Sequence, residues 1–313
     1  MHLRLIVPGD RTELVVGTLT GDERVTNVVV LPGAAKRPAG DVVYCDVTRE
    51  ATSDILGWLK AHGLYDEGSV ALTTVDASPS RNAWRTEEAA PGAPDDAVVW
   101  DAVVGQGYAE ARGSWSFYAF LTLATMIAAI AVITDSAILV VGAMVVGPEF
   151  GVVAALALGI ALGRKSLASQ SLVLLIKGFL MAILLTTLAA LLGRAAGWID
   201  VGDVTAARPL TGFIWRPDHW SVVVAVLAGC AGVLSQTAGR SNALVGVFIS
   251  VTTVPAAGDL ALSIAVGAPA QIGGSAAQLG INLAGMTCAG VATLLLQRAL
   301  WRALTQKHQR ESP

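Results

Sequence analysis

Two long apolar segments of this chain are each interrupted by glycine and proline. The first, residues 136–162, carries Val141-Gly-Ala-Met-Val-Val-Gly-Pro-Glu149. The second, residues 241–267, carries Gly246-Val-Phe-Ile-Ser-Val-Thr-Thr-Val-Pro-Ala256 and reaches Asp259. Both are long enough to cross a bilayer, and both place a carboxylate just past the proline. In hydrocarbon, a broken helix frees backbone groups that must find partners, so a break survives only inside protein or beside a water-filled cavity. Two such breaks in corresponding places mark a transport site.

Composition agrees with a membrane setting. Of 313 residues, 54% are hydrophobic and 14% charged, against roughly 25% charged in soluble chains; the mean hydropathy is +0.61. Acidic residues concentrate in residues 1–112, and long stretches after Trp115 carry none. The net charge of -3 offers no electrostatic case for nucleic acid. Cys45, Cys230 and Cys288 form no Cys-x-x-Cys pair, and the four histidines have no metal-ligand spacing, so neither a disulfide framework, a metal nor a cofactor is expected. No basic region followed by an apolar one opens the chain, so no cleavable signal peptide is expected.

Four parts are expected: a cytosolic domain over 1–76, a linker and juxtamembrane helix over 77–112, a six-span membrane domain over 113–303, and a cytosolic tail over 304–313. In the first, strands are predicted at Leu3–Val7, Val25–Leu31, Asp41–Val47 and Val70–Val75. Asp10 is the expected cap of a helix to about Thr18, with Glu13 completing a capping box. Thr52 or Ser53 starts the second predicted helix, which stops at His62-Gly63. The order βαββαβ is that of a ferredoxin-like α+β sandwich. Prolines at 79, 91 and 94 mark the linker.

Six spans are predicted at about 115–133, 136–162, 167–192, 215–234, 241–267 and 276–300. With both termini in the cytoplasm, inside segments hold Arg112, Arg164, Lys165, Arg240, Arg298, Arg302, Lys307 and Arg310, while Arg194, Arg208 and Arg216 share one outside loop. Trp115, Trp198, Trp215, Trp220 and Trp301 fall at span ends as an aromatic belt. Three spans on each side of that loop predict a 3+3 inverted repeat. Ser136 to Pro148 is twelve residues and Ser241 to Pro255 fourteen, so the two copies are related without being identical.

The chemistry-bearing residues cluster at the breaks. Glu149 follows Pro148 at mid-span depth, where a carboxylate costs at least ~2.5 kcal/mol and usually faces a cavity or a partner. It is expected to bind a cation or carry a proton, with Lys177 as its charge partner, or else to serve as a structural partner for backbone amides freed by Pro148. Asp259 is the counterpart in the second element, and Asp135 the expected cap of the second span. The candidate pathway comprises Gly142, Gly147, Pro148, Glu149, Ser250, Thr252, Thr253, Pro255, Asp259 and Asn282. Gln271 and Gln278 flank or enter the last span, and Gly273-Gly274 suggests a tight or re-entrant turn. No phosphate-binding loop, dinucleotide fingerprint, nucleophile elbow or zinc motif occurs, so an enzyme is not expected.

The elements Asp135-Ser136, Val141 to Pro148, Gly246 to Ala256 and Gln278-Leu-Gly-Ile-Asn-Leu283 resemble a bacterial and archaeal membrane family, domain of unknown function 389, the "uncharacterised hydrophobic domain". The resemblance covers most of residues 115–300 and implies architecture rather than activity. Together these readings predict a bacterial inner-membrane protein, a homo-oligomer in the lipid bilayer. It would act as a secondary transporter or channel for a small solute or ion, with a cytosolic regulatory domain. The alternative is a non-transporting membrane-anchored sensor or scaffold, whose cytosolic domain binds a ligand or partner.

Overall fold

The computed structural model describes residues 1–75, 77–90, 92–94, 97–238 and 251–311, with residues 302 and 304–311 described by backbone alone. The chain forms two compact units, Met1–Val103 with Ala299–Pro313, and Val104–Arg298.

The first unit is built on strands β1 (His2–Val7), β2 (Val25–Lys36), β3 (Ala39–Val47) and β4 (Ser69–Thr73), with helices α1 (Thr12–Thr20), α2 (Arg49–Ala61) and the single turn α3 (Leu64–Glu67). The sheet is antiparallel throughout, in the order β2-β3-β1-β4. Alternation dictates its buried face: Leu3, Leu5 and Val7 of β1 and Val43, Cys45 and Val47 of β3 point one way, because side chains in a strand repeat every two residues. Val15 and Leu19 of α1 and Ile55, Leu56 and Leu59 of α2 close over that face. All four predicted strands form, with shifted ends.

The helix starts differ from expectation. α1 begins at Thr12 with Arg11 as its cap position and no side-chain cap bond, so Asp10 does not cap it. α2 begins at Arg49, because Thr48 Oγ1 accepts from Ala51 N–H; Thr52 is buried one turn inside. The expected linker contains a helix, α4 (Arg81–Glu88), capped by Ser80, and α5 (Trp100–Glu110) follows it. The segment between them is tied to α2: Arg49 Nε donates to Ala97 O at 2.9 Å and Ser53 Oγ to Val98 O at 3.0 Å.

The second unit is helical: α6 (Trp115–Ile133), α7 (Ala137–Val146), α8 (Glu149–Ala161), α9 (Lys165–Ala195), α10 (Val201–Thr205), a 3-10 turn (Gly212–Trp215), α11 (His219–Thr237), α12 (Thr253–Val266) and α13 (Pro269–Glu311). Among the described residues, four helices (α6, α9, α11 and α13) are long and apolar enough to cross a membrane, and α7 with α8 makes a fifth candidate, bent by 54°. α12, with 14 residues, is shorter than a crossing requires. The first half of the expected span 241–267, up to residue 250, lies outside the described residues. Gly273-Gly274 forms no turn; both lie within the continuous α13.

These helices are apolar on both sides, with Phe120, Leu123, Leu180, Leu184, Leu192 and Leu227 exposed on the outer faces. A helix that is hydrophobic all round belongs in a membrane or a large core. Inside, small residues bring backbones together, the usual device where lipid tails offer no hydrophobic drive to association. At Gly258 of α12, an added Cβ would fall 2.8 Å from Ala128 Cβ and 2.9 Å from Thr125 O of α6. α12 is the most enclosed element: of its residues only Ile264 is exposed.

Two outcomes test this packing. Gly258→Val should force α6 and α12 apart and cost about 1–3 kcal/mol or more, read as a lower melting temperature in detergent; an unchanged midpoint would contradict the crossing. In the first unit, burial pushes the Cys45 thiol up to about 12, and only the thiolate is nucleophilic. At pH 8 iodoacetamide should modify Cys45 only after denaturation, which peptide mass mapping will show.

Candidate functional site

The break between α7 and α8 follows from its two central residues. Proline disfavours helical geometry in the residue before it and lacks an N–H to continue the ladder. Gly147, extended at φ -66° and ψ 126°, therefore ends α7 with its N–H on Ala143 O, and α8 starts afresh at Glu149. Gly147 is also sterically required here, since the place of a Cβ is occupied by Glu149 Oε2 and Val254 Cγ2.

Glu149, 6% exposed, thus stands in the first turn of α8, where the helix dipole favours negative charge. Its Oε1 accepts from Thr253 Oγ1 at 2.6 Å, and its buried Oε2 has no partner among the described residues. Thr253 is the first residue of α12. Two helices therefore begin at one point, joined through a carboxylate and a hydroxyl. Pro255 lies in the first turn of α12, where a missing N–H costs no helical bond.

One residue earlier, Thr252 Oγ1 accepts from Gln278 Nε2 at 3.2 Å and from Asn282 Nδ2 at 3.1 Å. The two amides stand four residues apart on α13 and so share a face. Both are buried, at 3% and 2% exposure, and Gln278 Oε1 has no partner among the described residues. Thr252, Gln278 and Asn282 line a cavity of about 230 Å³.

Asp259, fully buried on α12, forms a separate polar centre. Arg208 Nη1 donates to its Oδ1 at 2.6 Å and Ser275 Oγ to its Oδ2 at 2.5 Å. Arg208 comes from the segment after α10 and is 7% exposed. The same segment is held by Asp135, whose carboxylate accepts from the Leu210 and Thr211 N–H groups and from Thr211 Oγ1. Asp135 is thus an anchor for this segment, while Ser136 caps α7. At the other end of α12, Arg194 Nη1 donates to Ala265 O at 2.9 Å, a cation meeting the negative pole of a helix.

The structure brings Gly147, Glu149 and Thr253 together, and Thr252 with Asn282. Pro148 is half-buried between α7 and α8. Gly142 stands on the exposed face of α7 with open space around it, away from the polar groups. Lys177 does not partner Glu149: it is exposed on α9 and forms no ion pair among the described residues, whereas Glu149 is met by Thr253. Ser250 lies outside the described residues. Arg208 and Ser275 were not among the expected site residues; a buried Asp259 demands a cation, but nothing local in sequence points 51 residues back to Arg208. Among the described residues no group of three or more His, Cys, Asp or Glu gathers to hold a metal.

Residues 144–288 match the model of the family described as domain of unknown function, DUF389. The match spans a little under half of the chain. The matched DUF389 region contains both helix starts, Arg208, Asp259 and the Gln278–Asn282 face, and leaves Gly142 just ahead of it. The chain is also 28% identical, over 147 residues, to an uncharacterized protein of Methanocaldococcus jannaschii; the alignment covers 47% of this chain and 43% of that relative. No solved structure matches.

The buried ion pair gives a direct test. Arg208→Gln leaves Asp259 enclosed without its cation and should cost about 3–5 kcal/mol. The double variant Arg208→Gln/Asp259→Asn should recover most of that loss. Melting of the purified protein in detergent decides; a double variant no better than the single one would deny the coupling.

Proposed function

We propose that this chain is a six-span transporter or channel for a small solute or ion, with its pathway at the paired starts of α8 and α12. The observation that carries this reading is a buried carboxylate, Glu149, set where two short helices begin inside an apolar unit, with the Thr253 hydroxyl on one oxygen and no cation beside it among the described residues. Enclosing a carboxylate without a cation is costly, so such a group marks an ion or proton pathway in a membrane protein. Glu149 is the coupling group in this reading. Asp259, engaged by Arg208 and Ser275, holds the 200–218 segment against α12. No chemical conversion of the solute is required.

The finer architecture belongs to the same proposal. The meeting of α8 and α12 at their N-termini supports two halves related as a 3+3 inverted repeat. The antiparallel order β2-β3-β1-β4, with one helix after β1 and α2–α3 after β3, supports a ferredoxin-like regulatory domain. The distribution of Arg and Lys supports a bacterial inner-membrane protein with both termini cytoplasmic; assembly as a homo-oligomer is part of the same proposal. The sensor reading has one observation of its own, a cavity of about 520 Å³ in the first unit beside Leu56, Tyr65, Ser69, Leu72 and Asp101. Ligand uptake there by a protein whose vesicles stay sealed would favour it.

The test is flux through proteoliposomes containing the full chain, followed with an entrapped pH dye across a panel of small solutes. Glu149→Gln should lower flux at least about tenfold while the melting temperature holds. Undiminished flux in that variant would remove Glu149 from the mechanism.

A further inference from the structure

The 230 Å³ cavity beside the start of α12 has a donor and acceptor inventory that selects a class of solute. We infer that it binds a small hydroxy- or amino-carboxylate, its anionic end taken by Thr252, Asn282 and Arg216 and its donor by Gln278 Oε1. This deepens the transport reading and rests on it for the cavity's role, though the binding chemistry stands on geometry alone.

Thr252 Oγ1 already accepts two amide N–H bonds, so the hydroxyl proton is left to donate. Asn282 Nδ2 has a second N–H beyond the one given to Thr252. Thr252 is also the cap position of α12, a helix of 14 residues that begins at the next residue. At the mouth, Arg216 is exposed, stacks on the Trp215 ring with its guanidinium carbon 4.6 Å from the centroid, and forms no ion pair among the described residues. Asp218 is the wall's carboxylate, and it is committed to capping α11 through Ser221 N–H and Oγ.

The inventory is thus rich in donors for an anion. Gln278 supplies the second requirement. It is 97% enclosed and lines the cavity, and its Oε1, shielded beneath the wall, has no partner among the described residues. A buried acceptor left empty is expensive, and turning the amide toward the cavity would let a hydroxyl or ammonium on the solute satisfy it. Size sets the rest: the volume exceeds the ~150 Å³ of a cavity that takes up benzene, which suits a solute of about six to ten non-hydrogen atoms.

The test is thermal stabilisation of the full chain in detergent by millimolar L-lactate and L-alanine, beside two controls. Lactamide keeps the donor without the charge, and propionate keeps the charge without the donor. Lactate or alanine should stabilise most, and Arg216→Gln, an exposed substitution that should leave folding intact, should weaken that ligand about tenfold. Gln278→Leu should make lactate and propionate equivalent. No stabilisation by either acid, stabilisation by lactamide equal to that by lactate, or an unaltered affinity in Arg216→Gln would overturn the assignment. Binding without flux in proteoliposomes would sink the transport reading and leave this one standing. Flux of other solutes without carboxylate binding would do the reverse.

Discussion

The hydrogen bond from Thr253 to Glu149 joins the starts of α8 and α12 inside an apolar unit. A helix start leaves N–H groups without intrahelical partners, and in a membrane no water is at hand to satisfy them. Placing two starts together, with a carboxylate at the first turn of one, turns two electrostatic liabilities toward each other. The arrangement requires Gly147, whose missing Cβ makes room for Glu149 Oε2 and Val254. It also requires the two prolines, which set where α8 and α12 begin. The cavity floor is tied to this junction through Thr252, the residue adjoining Thr253.

The second polar centre depends on different parts of the chain. Arg208 reaches Asp259 from a segment that sequence places in a polar loop, and Asp135 fixes that segment through two backbone N–H groups and a hydroxyl. Val204, Thr211 and Ile214 of the same stretch are fully buried. The stretch is therefore part of the membrane unit's packing, and its polar sequence reflects the partners it finds there.

Much of this was legible in sequence where local rules decide. Strand alternation located the sheet, a Gly-Pro pair located the helix break, and the four-residue spacing of Gln278 and Asn282 put them on one face. What could not be read were pairings between distant residues. Hydropathy gives the depth of Lys177 but not the side of α9 it occupies, and that side is exposed. Asp259 and Arg208 are 51 residues apart with several charges between them, so no spacing rule links them. Thr48 displaced Thr52 as the start of α2 because an earlier side chain reached the free N–H first, a contest that composition alone does not settle.

α12 connects the two centres. It spans 14 residues, or about 21 Å at the helical rise. Asp259 lies six residues beyond Thr253, so the ion pair and the Glu149 junction are carried by one short rigid element. Nearly every residue of α12 is enclosed, and a close-packed interior deforms little within itself. Any displacement of Arg208 that drags Asp259 must therefore shift α12 as a body, and with it Thr252 and Thr253. The contact at Gly258 sets the limit: only Ala128 Cβ and the backbone of α6 meet α12 there, so the two helices have no room to close further. The fold thus ties a loop-held arginine, a buried carboxylate and an amide-lined cavity to the position of a single helix.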